Sequence, residues 1–235
     1  MTMSTTANPP TKKLKLTYFN IEGSAEPVRL VLALAGVDYL DDRIAFSDWS
    51  TLKPKTPYGQ VPVWSDESGN MKAQSGAMLR YLAKKHSETL YPDDALYDIE
   101  EALGVISDIK NSWAPCLYMG MRPEAFGHPK GFGKTDEGKA LTKEVRQAWL
   151  QNEVPKLFGH LESLLERHNN AWLASSKHPT IADCDAVPFL RSFTKGHIDH
   201  VPKDCFEKDH PKLVDYVKRF CALPEIEGRY TDGLH

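Results

Sequence analysis

Tyr18 stands where an apolar, strand-like stretch gives way to an amphipathic, helix-like stretch, in the segment KLTYFNIEGSAEPVRLVLALAG (15–36). Its phenolic hydroxyl can both donate and accept hydrogen bonds. A tyrosine at the end of a strand can fill the core, or it can carry its hydroxyl to the edge of a sheet where a ligand could meet it. The local sequence leaves both alternatives open.

A second feature with chemical potential is the pair Gln74-Ser75, which opens a helix-like segment. Free N–H groups and the positive end of the helix dipole at such a position favour a carboxylate. An ordinary capping role for Ser75 explains the same residues. The pair is therefore a candidate anion site with a simple structural alternative.

Two further motifs complete the set. Pro62 in YGQVPV (58–63) comes just as a strand should begin, where a proline is allowed on an edge, and a cis Val61–Pro62 bond would turn the backbone outward. Thr180 and Asp183 in TIAD have the form of a capping box, with Asp in place of Glu. We assign that last pair to folding rather than to catalysis.

The pattern around the first three features predicts a compact α/β unit with a mixed sheet up to residue 86. Alternation predicts a strand over 13–19, and apolar residues at helical spacing predict a helix that Gly36 ends. A strand over 42–46, a hairpin with the turn ESGN, and a helix capped by Ser75 follow.

Strand signals disappear after residue 87, so we expect a linker over 88–97 and an all-α domain over 98–235. The Gly- and Pro-rich segment 120–138 is predicted to be a long exposed loop. Its GFGKT does not complete a phosphate-binding loop, because His128 stands where the first glycine belongs. The predicted helices are IEEALGVISDIKNSW, KALTKEVRQAWLQNEVPKLFGHLESLLERH (bent at Pro155), TIADCDAVPFLRSFTKG and HPKLVDYVKRFCAL.

Composition narrows the class of protein. A net charge of −3 over 235 residues gives no electrostatic reason to expect nucleic acid or an anionic membrane as a partner. No apolar run is long enough to cross a bilayer, and the polar residues 1–12 are expected to form a disordered tail. The four cysteines and nine histidines lack metal-site spacing, so we expect no metal and a reducing, cytoplasmic setting.

With these residues in view, the sequence resembles the cytosolic glutathione transferases over about residues 14–230. The resemblance is closest to the tyrosine-type classes, with a sigma-like character. It implies a thioredoxin-like α/β domain over 13–87, an all-helical second domain, glutathione as co-substrate, and a homodimer. The matching segments are LTYF, EPVRL, GQVPV, QSGAMLRYLA, TIADCDAV and HPKLVDYVKRFCALPEIEGRY.

The resemblance implies how one end of glutathione would be held. Gln74 and Ser75 would bind the γ-glutamyl end, with Ser75 and the helix N-terminus taking its carboxylate. The backbone of Val61, presented by a cis Pro62, would pair with the cysteinyl segment in the manner of a strand.

For the glycyl carboxylate, the resemblance implies Trp49 and Lys53, with Gln60 placed to assist. Trp49 could instead anchor its loop, and Lys53 could be a solvated charge. Both alternatives stay open.

By resemblance, Tyr18 would donate a hydrogen bond to the bound thiolate. Lowering a thiol pKa by about two units from roughly 8.5 requires about 2.7 kcal/mol. One charge-assisted hydrogen bond contributes about 1.5–3 kcal/mol, which is the right magnitude. No cysteine precedes Cys116, so a cysteine-type mechanism fits poorly.

Ser24 departs from the family pattern, because many tyrosine-type members have arginine there. The serine-type classes use a hydroxyl near this place, so Ser24 is a competing partner for the thiol. A simpler alternative makes Ser24 the N-cap of the helix that ends at Gly36.

The resemblance places the electrophile beside Tyr18, between the domains. Aromatic and methionine side chains suit a permissive apolar pocket, although the same residues could pack a helix core. Conjugation of glutathione to apolar electrophiles is the leading function; the alternatives are a glutathione-dependent isomerase or peroxidase, and a non-catalytic ligand carrier. The candidate lining residues are Ile21, Trp113, Leu117, Tyr118 and Met121.

Overall fold

The computed structural model describes residues 14–66 and 68–235. Contacts divide the chain into two units, one ending at Ser87 and the other beginning at Glu88. The tail predicted over residues 1–12 lies outside the described residues.

The first unit contains a mixed four-stranded sheet in the order β2-β1-β3-β4, as predicted. Strand β1 (Lys15–Phe19) pairs in parallel with β2 (Leu40–Ile44) and antiparallel with β3 (Val63–Ser65), and β3 pairs antiparallel with β4 (Met71–Ala73). Strand β1 is therefore hydrogen-bonded on both sides. The prediction of a strand over 42–46 was two residues late, because Phe46 opens a 3-10 turn instead.

The α-helices in the described part of this unit are α1 (Glu26–Leu34), α2 (Trp49–Leu52) and α3 (Ser75–His86). Pro27 lies in the first turn of α1, where a missing N–H costs little. At the other end, Gly36 has φ of +63° and its N–H donates to the carbonyl of Ala33 (3.0 Å). The Val37 N–H donates to the carbonyl of Leu32 (2.9 Å), which completes the glycine cap that the sequence predicts.

The core of the first unit joins the sheet to α1 and α3, which pack on each other. The apolar spacing of both helices and the alternation of β1 direct these side chains inward. Fully or almost fully buried members are Leu16, Val28, Leu32, Val63 and Leu82.

The described residues of the second unit form helices and no strands, in agreement with the predicted all-α domain. A 3-10 turn at Asp93–Ala95 leads directly into the first long helix, which therefore begins inside the predicted linker. Within the described residues, none of the helices combines the length and apolar character needed to cross a bilayer. The helices are α4 (Leu96–Met121), α5 (Asp136–Asn152), α6 (Val154–Arg167), α7 (Ile181–Thr194) and α8 (Pro211–Cys221).

Two predicted helix boundaries were wrong. Helix α4 continues past Trp113 and through Pro115, because Cys116 and Met119 extend its buried face by another turn. The chain breaks between α5 and α6 at Glu153 rather than bending at Pro155, which lies in the first turn of α6.

The segment 120–138, predicted to be a long exposed loop, is mostly exposed, but short helical turns interrupt it. Helix α4 takes up its beginning, and 3-10 turns follow at Pro123–Phe126 and Phe132–Lys134. The side chains of Pro123 and Phe132 are buried. The predicted exposure is confirmed for most of the segment, and its buried residues are Pro123, Phe132 and Gly138.

Aromatic side chains form the centre of the second unit. The ring of Trp113 lies 4.7 Å from that of Trp149 and 5.0 Å from that of Phe193. Edge and tilted contacts of this kind stabilise a core beyond simple area burial.

The capping box predicted from Thr180 and Asp183 is present at the start of α7. The buried Asp183 carboxylate accepts hydrogen bonds from the Thr180 N–H (2.7 Å) and the Thr180 hydroxyl (3.1 Å). It also accepts from the Leu173 N–H (2.9 Å) and the Tyr216 hydroxyl (2.8 Å). One carboxylate thus joins the start of α7 to residue 173 and to α8.

Candidate active site

Tyr18 and Ser24, the two competing thiol partners, lie in direct contact. Tyr18 is the penultimate residue of β1 and is 8% exposed. Its hydroxyl oxygen lies 3.1 Å from the Ser24 hydroxyl oxygen and accepts a hydrogen bond from the Ser24 backbone N–H at 3.3 Å. The two candidates therefore form a hydrogen-bonded pair.

Gly23 makes this contact possible. A Cβ atom at Gly23 would lie 2.5 Å from the Tyr18 hydroxyl oxygen, and the residue has φ of +45°, which disfavours other side chains. Gly23 begins a 3-10 turn that includes Ser24 and ends at Ala25. The N-cap position of α1 belongs to Ala25, so the interpretation of Ser24 as that N-cap was wrong.

A buried arginine donates hydrogen bonds to the backbone just before this turn. The Arg29 side chain is fully buried, and its Nη1 donates to the carbonyls of Ile21 (2.8 Å) and Glu22 (3.3 Å). Its guanidinium carbon lies 5.8 Å from the centroid of the Tyr18 ring. Sequence reasoning noted EPVRL only as a family segment, although an arginine on the buried face of a short helix was a usable signal.

The Val61–Pro62 peptide bond is cis, as the sequence suggested. Thr17 in β1 faces Val63 in β3, so continuing this register by one residue brings Tyr18 opposite Pro62. The backbone N–H and carbonyl of Val61 have no hydrogen-bond partner among the described residues. An extended peptide could therefore pair with Val61 beside Tyr18.

Lys53 lies against the YGQVP turn. Its Cε and Cγ atoms are 3.3 and 3.5 Å from the position that a Cβ would take at Gly59, next to Gln60. The side chains of Lys53 and Gln60 are both exposed. Their positions suit an anion that approaches from solvent.

Trp49, at the start of α2, is half-buried. Its ring meets that of Phe19 edge-on at 5.6 Å, and Phe19 follows Tyr18 in β1. The anchoring role and the ligand role of Trp49 are compatible, because only part of the side chain is covered.

Gln74 occupies the N-cap position of α3, and Ser75 is the first helical residue, so the prediction that Ser75 caps the helix was wrong. Gln74 has φ of +77° and makes no side-chain cap. The Ser75 hydroxyl and N–H have no partner among the described residues. These free donors at the positive end of α3 suit a carboxylate.

Contacts within the first unit bring the separate motifs together. The turn at Lys53–Lys55 contacts the turn at Pro57–Gly59, which in turn contacts β4, and β4 ends one residue before Gln74. The glutathione-binding candidates are therefore connected through neighbouring elements rather than scattered over the unit.

The candidates for the electrophile pocket fall in different environments. Ile21, in the first unit, is 43% exposed, and Met121, in the second, is 68% exposed. Leu117 and Tyr118 are half-buried on α4, where the Arg122 guanidinium lies 4.4 Å from the Tyr118 ring centroid. Trp113 is 5% exposed inside the aromatic core, so its side chain favours the core-packing alternative over a pocket lining.

Three cysteines of the second unit are poorly suited to act as nucleophiles. Burial raises the pKa of the Cys116 thiol to about 11 and that of Cys205 to about 12. Burial, together with the nearby Asp183 and Asp185 carboxylates, also raises the pKa of Cys184. Thiols with such pKa values stay protonated at neutral pH.

Family comparisons agree with this arrangement. Residues 14–84 match the glutathione S-transferase N-terminal domain, and residues 130–229 match the glutathione S-transferase C-terminal domain. The thioredoxin-like sheet, the helical second unit and these matches place the chain in the glutathione S-transferase family.

Individual relatives span nearly the whole chain. A protein named glutathione S-transferase P from Caenorhabditis elegans is 48% identical over 92% of this chain and 90% of its own length. A class-mu 28 kDa glutathione S-transferase from Schistosoma bovis is 31% identical over 92% of this chain and 93% of its own. The solved structure of prostaglandin synthase D from Nilaparvata lugens has a TM-score of 0.72 at 27% identity, covering 91% of this chain and 95% of that one.

Proposed function

We propose that this glutathione transferase uses Tyr18 to stabilise the thiolate of bound glutathione, with Ser24 as the residue that orients the Tyr18 hydroxyl. The hydrogen bond from the Ser24 N–H to the Tyr18 oxygen carries the proposal. A hydroxyl group has two acceptor sites and one proton. With the Ser24 N–H on one site and the Ser24 hydroxyl donating to the other, the Tyr18 proton is left for the sulfur.

The reaction joins this thiolate to an electrophile. The sulfur of glutathione forms a bond to an electrophilic carbon of an apolar substrate. Either a leaving group departs from that carbon with its electron pair, or, after addition to a double bond, the neighbouring carbon of that bond accepts a proton. Tyr18 acts by keeping the thiol deprotonated, since the thiolate is the reactive form.

Glutathione is held by the donors already described. Ser75 and the N-terminus of α3 take the γ-glutamyl carboxylate, and Gln74 assists. The backbone of Val61 pairs with the cysteinyl residue beside the cis Pro62. The free state of these groups among the described residues supports the assignment.

At the other end of glutathione, Lys53 and Trp49 take the glycyl carboxylate, with Gln60 beside them. The electrophile is proposed to meet Ile21, Leu117, Tyr118 and Met121. The two sequence relatives described above are named as transferases, which favours conjugation over the isomerase, peroxidase and ligand-carrier alternatives.

The finer assignments belong to the same proposal. The segment LTYFN with Tyr18 supports a tyrosine-type, sigma-like class, and we propose a cytosolic homodimer. Exposed aromatic side chains give a second subunit something to cover, since Phe46 is 67% and Tyr58 is 78% exposed. Sedimentation equilibrium of the purified protein, with Tyr58→Ser as the variant, tests the dimer directly.

The deciding experiment measures conjugation of glutathione to an aryl halide as a function of pH. Tyr18→Phe should lower kcat/KM by roughly tenfold to a hundredfold near pH 7 and raise the apparent thiol pKa, because one charge-assisted hydrogen bond is lost. If Ser24→Ala alone produced that shift while Tyr18→Phe kept a normal pH profile, Ser24 would be the thiolate donor and the proposal would be wrong.

A further inference from the structure

Strand β2 places one carboxylate, that of Asp41, on the side of the sheet where Tyr18 lies. Strands β1 and β2 run in parallel, with Leu16 beside Asp41 and Tyr18 beside Arg43. Because side chains alternate between the two faces of a sheet, Asp41 projects from the same face as Tyr18, and Asp42 projects from the opposite face. Asp41 is therefore near the thiol-binding side of the sheet, although it is not one of the glutathione-binding candidates.

The Asp41 carboxylate bridges two arginines. Its Oδ1 accepts a hydrogen bond from Arg29 Nε (3.1 Å), and its Oδ2 accepts one from Arg43 Nε (2.8 Å). The Asp41 side chain is 27% exposed, whereas the Arg29 side chain is fully buried. A fully buried guanidinium is costly unless carboxylates pair with it, and Glu26 (3.2 Å) and Asp41 do so here. The charge of Arg29 is therefore balanced partly from its own helix and partly from β2.

Hydrogen bonds at two nitrogens fix the orientation of the Arg29 guanidinium. Asp41 binds Nε, while Nη1 donates to the carbonyls of Ile21 (2.8 Å) and Glu22 (3.3 Å) and to the Glu26 carboxylate. The Nη2 atom has no hydrogen-bond partner among the described residues. Because the group is planar, its direction depends on the contacts at Nε and Nη1. Asp41 thus helps to aim Nη1 at the two carbonyls.

These carbonyls come directly before the turn that carries Ser24. Only Gly23 separates Glu22 from Ser24, whose N–H donates to the Tyr18 oxygen at 3.3 Å. The position of that N–H therefore depends on the backbone that Arg29 holds. The Arg29 guanidinium also lies 5.8 Å from the centroid of the Tyr18 ring, within the range of a cation–π contact. Direct contacts thus lead from Asp41 through Arg29 to the Tyr18 hydroxyl.

We propose that Asp41 is a positioning residue for the transferase reaction. By fixing Arg29, it holds the turn where the Ser24 N–H meets the Tyr18 oxygen, and so helps Tyr18 to stabilise the thiolate of bound glutathione. Asp41 acts through Arg29 rather than on the sulfur itself. This inference rests on the role of Tyr18 proposed above.

Asp42, the next residue of β2, provides a matched control. Its carboxylate also forms an ion pair, with Lys15 (3.3 Å), and accepts a hydrogen bond from the Thr17 hydroxyl (2.9 Å). Its side chain is 35% exposed, close to the value for Asp41. The two aspartates differ chiefly in the face of the sheet that they occupy and in the contact with Arg29.

The test measures the pKa of the glutathione thiol bound to each variant, from the ultraviolet absorbance of the thiolate as a function of pH, together with kcat and KM. Asp41→Ala should raise this pKa by about 0.5–1 and lower kcat/KM by about threefold to tenfold near pH 7, with the KM for glutathione nearly unchanged. Asp42→Ala should leave the thiol pKa and kcat/KM at their wild-type values. A merely structural role of Asp41 would lower the midpoint of urea unfolding without changing the thiol pKa.

Tyr18→Phe distinguishes this inference from the proposed function. It should raise the pKa of the bound thiol, and adding Asp41→Ala should raise it no further, because no hydroxyl is left to position. If Tyr18→Phe raised the pKa while Asp41→Ala behaved like Asp42→Ala, the role of Asp41 would be overturned and that of Tyr18 would stand. Additive effects of Tyr18→Phe and Asp41→Ala would also overturn it, whereas an unchanged pKa in Tyr18→Phe would overturn both.

A second pair of variants covers the case in which Asp41→Ala does not fold. Asp41→Asn keeps the size of the side chain but removes the charge that pairs with Arg29, and Asp42→Asn is its control. The bound thiol pKa should be higher in Asp41→Asn than in Asp42→Asn. Equal values in the two variants would overturn the inference.

Discussion

The hydroxyl oxygens of Tyr18 and Ser24 lie 3.1 Å apart, and the Ser24 N–H also donates to the Tyr18 oxygen. Residues six apart in sequence are joined across the turn that connects β1 to α1. The Ser24 hydroxyl therefore lies where it can orient the Tyr18 hydroxyl. This relationship changes what a substitution at either position should do.

Ser24→Ala should lower kcat/KM by about threefold to tenfold, because the Tyr18 hydroxyl loses one of its two orienting donors but keeps the backbone N–H. The same change in a Tyr18→Phe background should have almost no further effect, since there is no hydroxyl left to orient. A double-mutant cycle on the conjugation rate measures this coupling. Ser47→Ala, at an exposed serine of the first unit, is the control; additive losses from Tyr18→Phe and Ser24→Ala would contradict the coupling.

Gly23→Ala should sharply reduce kcat and leave the affinity for glutathione largely unchanged. The new Cβ would lie 2.5 Å from the Tyr18 hydroxyl oxygen, so that hydroxyl would have to move. Gly36→Ala is a matched control, since Gly36 also has a positive φ but has no other group within 4 Å of its Cβ position. Both variants should lose about 1 kcal/mol of stability from backbone strain. Measured kcat and KM, alongside thermal unfolding, separate the effects; equal activity of the two variants would show that the close approach is unimportant.

Lys53→Ala should raise the KM for glutathione by about fivefold, and the increase should shrink at high salt, because an exposed charge contributes about 1 kcal/mol. Lys55→Ala, at an exposed lysine two residues further on, should leave KM unchanged. Initial-rate measurements at low and high ionic strength check both. If the rise in KM did not depend on salt concentration, the cause would instead be the lost packing of the Lys53 side chain against Gly59.

The folded protein should resist alkylation at Cys116. Its pKa of about 11 means that about one thiol in a thousand is ionised at pH 8, against about a quarter for an ordinary thiol. Iodoacetamide labelling with mass spectrometry, in native buffer and in denaturant, compares the two states. Rapid native labelling of Cys116 at pH 8 would contradict this.

The raised pKa of Cys116 also makes the stability of the protein depend on pH. The Cys116 thiol loses its proton at lower pH in the unfolded chain than in the folded protein. Its contribution to the free energy of unfolding is therefore fully present below about pH 8.5 and is lost as the pH rises toward 11. Stability should therefore decline on the alkaline side.

Asp183→Asn should cost about 3 kcal/mol or more, because its fully buried carboxylate accepts four hydrogen bonds and an amide leaves donors unmatched. Asp185→Asn removes an ion pair with Lys110 that is partly exposed, and should cost less than about 1 kcal/mol. Urea unfolding of both variants makes the comparison. Similar midpoints would show that the capping box carries little of the stability.

Local sequence was sufficient where one residue type satisfied one local need. Gly36 ends α1 as predicted, and the capping box of Thr180 and Asp183 formed as predicted. The suggested cis Val61–Pro62 bond is present, although the strand that follows it, β3, lies inside the sheet and not at its edge. These features depend on neighbours within a few residues.

Local sequence failed where packing between distant segments decided the outcome. The segment 120–138 has loop composition, yet it forms two 3-10 turns that contact α4 and α5. Helix α4 passes through Pro115 because its buried face continues beyond that residue. The pairing of Tyr18 with Ser24 depended on the turn geometry that Gly23 permits, and spacing alone treated the two as rivals.

Strand β1 lies between two hydrogen-bonded neighbours, β2 and β3, and carries Tyr18 near its end. Interior strands open only when the sheet itself comes apart, whereas surface turns fray easily. The Tyr18 hydroxyl is thus carried by an interior strand, and Ser24 by a short turn. On warming, the contact between the Ser24 turn and the Tyr18 hydroxyl should be lost before the sheet unfolds. Catalytic activity should therefore decline at a lower temperature than global unfolding.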